Sequence, residues 1–96
     1  MKRRELEKVF KNKFGLVPSE GAKHRLFIKR YKGEDIYSLP VSRGYSDISD
    51  DILNELADQC FSQLREFKKA IDCTISAEKF HDTTTTRWAT KYSKNI

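Results

Sequence analysis

The chemistry in this chain gathers at one histidine. His24 stands in the run Gly21-Ala22-Lys23-His24-Arg25-Leu26-Phe27-Ile28-Lys29-Arg30, where an imidazole that titrates near neutral pH is set among fixed positive charges. That pairing suits phosphodiester chemistry on a polyanion, because the imidazole moves protons while lysine and arginine hold phosphates. Cleaving RNA without a metal uses the 2′-hydroxyl as an internal nucleophile. It needs a base for that proton, an acid for the leaving 5′-oxygen and cations for the phosphorane charge. His24 can act as base or as acid, not as both at once. Lys23 and Arg25 are the candidates for charge stabilisation, although strand alternation sends them to the face opposite His24 unless the strand start twists. Gly21, Lys29, Arg30, Lys32 and Arg43 complete the candidate substrate surface. Phe27 or Tyr31 can stack on an unpaired base, with ordinary sheet packing the plainer reading of Phe27.

Other chemistries find little support. Cys60 and Cys73 have no CxxC spacing, and His24 and His81 are too scattered to complete a four-ligand zinc set, so no metal or cofactor is expected. Cys60 falls at a helical core position and reads as a small buried hydrophobe. His81 lies between Phe80 and Asp82 in a poorly patterned region. Asp50, Asp51, Glu55 and Asp58 read as helix-start and solvent-face charges. There is no nucleotide-binding glycine loop and no GxSxG.

Charge separates the chain into halves. Residues 1–46 hold twelve Lys and Arg against five Asp and Glu, net +7, while residues 47–96 hold seven against nine, net −2. The first half is therefore suited to a polyanion, with the charge concentrated on one hairpin, and the second half to packing. A mean hydropathy of −0.72 with 34% charged residues describes a globular domain. No apolar run approaches the ~20 residues of a membrane span, and no apolar stretch follows the charged start as in a secretory signal, so the cytoplasm is the expected compartment.

The elements that must position His24 follow from periodicity. Leu6, Val9, Phe10 and Phe14 put an apolar stripe on a helix over residues 3–14, which Gly15 ends as a left-handed C′ residue. Leu16 to Ser19 forms a short strand placed at a sheet edge by Pro18. His24 to Tyr31 is a second strand, Tyr31-Lys32-Gly33-Glu34 a hairpin turn, and Asp35 to Val41 a third strand. On the second strand the expected buried face carries Leu26 and Ile28, with His24 at its frayed core-side start. Ser49 caps a helix that opens with Asp50 and Asp51, with Ile48 placed to staple against Leu53. Its apolar arc is too wide for one surface helix, which predicts a break near Phe61-Ser62. Beyond Ile71 the signal decays: Thr83 to Thr86 has poor helix propensity, and Trp88 and Tyr92 are the remaining large anchors of a tail that is mobile or docked on a partner.

The order α-β-β-β-α gives an α+β fold with a three-stranded antiparallel sheet covered on one face by helices, the double-stranded-RNA-binding-domain architecture, plus an extra C-terminal helix and tail. Within it, Gly21-Ala22-Lys23-His24-Arg25-Leu26-Phe27, then Leu39-Pro40-Val41, then Asp51-Ile52-Leu53-Asn54-Glu55-Leu56 resemble, in order and spacing, the HicA-like mRNA interferase toxins. The resemblance covers about residues 3–61. It implies metal-free cleavage of mRNA by the strand-leading histidine, matched here by His24, and restraint by a HicB-like antitoxin protein. Lys23 stands where that family has a small residue, and nothing in the family accounts for the chain beyond Cys60. The expected division is thus a HicA-like RNA-binding and nuclease domain over 1–61 and a helical extension over 62–96, packed on that domain or on a partner.

Two further readings compete with a toxin endoribonuclease. One is a noncatalytic RNA-binding module of the same fold. The other is a protein-interaction module that uses the C-terminal extension, with the basic hairpin incidental.

Overall fold

The computed structural model describes residues 1–21 and 24–92. Its centre is a three-stranded antiparallel sheet in the order β1 (Val17–Glu20), β2 (His24–Tyr31), β3 (Glu34–Ser42). Pro18 sits on the edge strand β1, where its missing N–H faces no partner. Lys32 and Gly33 both take positive φ, +50° and +81°, between the paired Tyr31 and Glu34. Two left-handed central residues are what a two-residue hairpin needs to match the strand twist, and Gly33 adopts that backbone without strain.

The first helix forms where its stripe predicts, in two parts. The segment α1 (Arg3–Lys8) runs into a π-helical turn over Val9–Lys13, in which the Phe14 N–H reaches Val9 O at 2.9 Å. Leu6, Phe10 and Phe14 are buried as the spacing requires. Gly15 closes the turn at φ +63°, and the Leu16 N–H bonds back to Phe10 O. Backbone bonds from Arg3 N–H to Ser46 O and from Ile48 N–H to Met1 O sew the N-terminus to the loop after β3.

The sheet turns the opposite face inward from the one expected. Phe27, its cross-strand partner Leu39 and the same-face Val41 are fully buried and Tyr37 on that face is nearly so, while Leu26 and Ile28 are only half-buried. The cause is aromatic: Phe10 meets Phe27 edge-on at 5.4 Å, and an aromatic pair of this geometry adds to the area it buries. Arg25 and Lys29 share that inward face, and they tolerate it because long stems can lie on apolar surface while the charged heads reach acidic neighbours.

The capping reading of α2 (Asp50–Gln59) holds: Ser49 Oγ accepts from the Ile52 N–H at 3.4 Å. The helix stops at Cys60, Phe61 takes φ +61°, and α3 (Leu64–Ile71) follows, so the break lies where the wide apolar arc placed it. Cys60 is fully buried with its thiol on Ala57 O.

The C-terminal stretch departs from the expected decay. α4 (Ala77–Lys91) is a 15-residue helix capped by Ser76, whose side chain accepts from the Lys79 N–H. Low threonine propensity is offset by packing. The Thr83 and Thr90 hydroxyls donate to carbonyls four residues back, which satisfies them without strengthening the helix, and what holds α4 is the burial of Phe80, Thr84, Thr85, Trp88 and Ala89. One cluster joins the helices to the sheet, with Phe14 stacked on Phe80 at 5.2 Å and edge-on to Phe67 at 6.2 Å. Trp88 thus belongs to the chain's own core, while Tyr92 remains 52% exposed. Among the described residues no helix is long and apolar enough to cross a membrane.

Candidate nucleic-acid interface

His24 begins β2 and is exposed. Its carbonyl accepts the Gly21 N–H at 3.0 Å, which ties the start of β2 to the end of β1. Gly21 is required there for space: a Cβ on it would meet His24 O at 2.7 Å, closer than a carbon and a backbone oxygen can stand. The structure therefore gives Gly21 a positioning part, holding the backbone that carries the imidazole. His24 lies on the face opposite Phe27 and, with Tyr45, Ile52, Glu55 and Gln59, lines a cleft of about 130 Å³ between the sheet and α2.

The cations proposed from sequence do not gather around that cleft. Lys23 lies outside the described residues. Arg25 is half-buried across the sheet, its Nε 2.9 Å from Glu20, its Nη1 3.7 Å from Glu7, and its guanidinium 5.6 Å from the Phe27 ring centroid. Arg43 is ion-paired with Glu20 and accepts from Arg3 Nη1 at its carbonyl. Arg30 and Lys32 stand at the far end of the hairpin, six or more residues along β2 and so about 20 Å from His24 at ~3.3 Å per residue. Arg30 is paired with Asp35 at 3.1 Å, and the Lys32 ammonium lies 5.4 Å from the Tyr31 ring centroid. Lys29 points at the helix layer, where burial lowers its pKa and the Asp82 carboxylate partly restores it.

His81 is no second site. Neither buried ring nitrogen makes a well-aligned hydrogen bond to a described residue, the ring stands edge-on to Phe14 at 5.7 Å, and burial followed by the Lys29 charge lowers its pKa to about 4 against the smaller opposing pull of the Phe14 backbone and Asp82. It is a neutral core histidine at physiological pH. Burial likewise pushes the Cys60 thiol and the Tyr37 hydroxyl up, removing both as nucleophiles. Among the described residues no three His, Cys, Asp or Glu side chains converge as a metal site.

Charge that is free of internal partners lies elsewhere, on the outer face of the first helix. Arg4, Lys8 and Lys11 are exposed, and none makes an ion pair or side-chain hydrogen bond with a described residue. Their spacing of four and three residues, legible in the sequence, puts them on one face. The polar side of any amphipathic helix shows the same spacing, so the sequence pattern does not single these residues out. Tyr45 reaches the cleft from the loop after β3 and Glu55 from α2, where its spacing alone marks it as a solvent-face charge. No protein-family model, curated protein or solved structure matches this chain.

Proposed function

We propose that the protein is a metal-independent endoribonuclease with a double-stranded-RNA-binding-like fold, the toxin of a toxin–antitoxin pair. It acts on mRNA in the cytoplasm and is restrained by a HicB-like antitoxin. The observation that carries the reading is an exposed imidazole at the head of β2, braced by Gly21 and opening on a small cleft shared with Tyr45 and Glu55. In this reading His24 takes the 2′-hydroxyl proton as that oxygen attacks phosphorus. The P–O5′ bond breaks, the leaving oxygen collects a proton, and the products are a 2′,3′-cyclic phosphate and a 5′-hydroxyl. In this reading Glu55 or Tyr45, which share the cleft with His24, handles the second proton, and Lys23, next in sequence to His24, is the candidate cation for the phosphorane charge.

The purified chain is expected to cut RNA in excess EDTA and leave cyclic phosphate ends. His24→Ala is expected to abolish cutting with the circular dichroism spectrum unchanged. Cutting that survives in that variant removes His24 from the mechanism. A noncatalytic RNA-binding module is the second reading, favoured by the ion pairs that occupy Arg25, Arg30 and Arg43. Salt-sensitive binding with no scission in the wild type would decide for it.

A further inference from the structure

Three clefts follow one another across the surface and share their walls. Tyr45 lines both the His24 cleft and a second one of about 590 Å³, formed where the N-terminus is sewn to the loop after β3 and walled by Arg3, Arg4 and Arg43. Arg4 in turn also lines a third cleft, of about 380 Å³, with Lys8, Lys11 and Asn12. Carboxylates are present along this path: Glu5 in the second cleft, Glu7 in the third and Glu55 beside His24. Glu7 is already occupied by Arg3 and Arg25. In the second cleft Arg43 is engaged by Glu20 and Lys2 by Asp47, and Glu5 offsets part of the Arg4 charge, so the positive charge left over for a ligand rests on Arg4 in part and mainly on Lys8 and Lys11.

We infer that these clefts form one track for a single strand of RNA, running from His24 past Tyr45 and onto the outer face of the first helix. Arg4, Lys8 and Lys11 hold successive phosphates, and the half-buried Tyr45 ring is the platform for an unpaired base. The seven steps from Arg4 to Lys11 advance about 10 Å along the helix axis, a row of charges that matches a polyanion better than a single phosphate. A stacking platform between a reaction cleft and a cationic face needs a base freed from pairing, which favours single strands over duplex. The inference rests on the proposed action on RNA and moves its binding surface from the hairpin to the helix.

The test is fluorescence-anisotropy titration of the full chain with a single-stranded 2′-O-methyl oligouridine 12-mer, which cannot be cut through its 2′-oxygen, and with a duplex of the same length. Arg4→Glu/Lys8→Glu/Lys11→Glu is expected to weaken single-strand binding at least about tenfold and to lower the salt-dependence slope by about 2, at ~0.7 per phosphate. Arg30→Glu/Lys32→Glu at the hairpin tip is expected to stay within about twofold of wild type. Tyr45→Ala is expected to lose about tenfold and Tyr45→Phe to retain binding. If the triple variant loses its circular dichroism, Lys8→Gln and Lys11→Gln are each measured instead, with an expected slope change of about 0.7 apiece.

The opposite ranking, with the hairpin variant weakened and the helix variant intact, overturns the track. So does duplex binding tighter than single-strand binding, or a Tyr45→Ala variant that binds like wild type. Cleavage is scored separately on unmodified RNA: track binding as expected with no wild-type cutting sustains this inference and sinks the nuclease reading alone.

Discussion

The two faces of β2 are built from the same mixture, apolar residues interleaved with ionisable ones, and the fold treats them oppositely. Arg25, Phe27 and Lys29 turn toward the helices, and Phe27 ends fully buried. His24, Leu26 and Ile28 take the other face, with His24 exposed beside α2 and the other two half-buried. A count of cations on the strand would have favoured the reverse. What decides is the partner each face meets. An incoming Phe10 ring rewards an aromatic more than an aliphatic, and long cationic side chains reach acidic groups at the margin of the helix layer. The inward cations are thereby occupied, while the imidazole across the sheet is left with access to solvent.

The largest effect expected from this asymmetry is on stability. Phe27→Ala removes a ring at the centre of the core and should cost about 3–5 kcal/mol, enough to unfold much of a small domain. Leu26→Ala, on the half-buried face, should cost only about 1–2 kcal/mol. Urea titrations of the two variants check the ranking, and equal losses would mean that both faces are core.

Local grammar was the legible part of this fold. The bounds of β2, the Ser49 cap, the glycine that ends the first helix and the break at Phe61 each follow from a few neighbouring residues whose backbone demands are specific. Four things were not legible, each because it depends on residues far apart in sequence. The buried face of β2 was chosen by Phe10. The helix α4 owes its persistence to the burial of Phe80 and Trp88 rather than to its threonines. The availability of a cation is also a tertiary property: Arg25 and Arg43 look free in sequence and are tied to Glu20 in space, while Arg4, Lys8 and Lys11 look like helix solvation and have no ion-pair partner among the described residues. His24 itself was legible as a residue, but its cleft was not, since Tyr45, Glu55 and Gln59 arrive from a loop and from α2.

A smaller effect sharpens the same contrast through the two histidines. His81, on the helix side of the sheet near Lys29, has its pKa lowered from 6.5 to about 4 by burial and then by that ammonium. The unfolded chain therefore takes up the proton first, so stability is complete above pH 6.5 and is lost as pH falls from there toward 4. After solvent screening the loss should be roughly 1 kcal/mol, or about 4–8 °C in Tm for a domain of this length. Comparing Tm at pH 7.5 and pH 5 in the wild type and in His81→Gln isolates it, because the variant should lose less on acidification. An identical drop in both would place the acid sensitivity elsewhere.

The smallest expected effect concerns Arg30, which pairs with Asp35 just beyond the irregularity at Lys29/Arg30 that interrupts the register of β2 and β3. Both side chains are more than half exposed, at 59% each. Water therefore screens the attraction, and holding two mobile side chains together costs entropy that offsets most of it. Arg30→Gln should change stability by less than about 0.5 kcal/mol, and added salt should erase even that difference. The same substitution should leave RNA affinity unchanged, because a guanidinium already shared with a carboxylate at the hairpin tip has little charge to offer a phosphate some 20 Å from His24. A large loss of affinity in Arg30→Gln, with stability intact, would return the binding surface to the hairpin and reverse the division of labour between the sheet and the first helix.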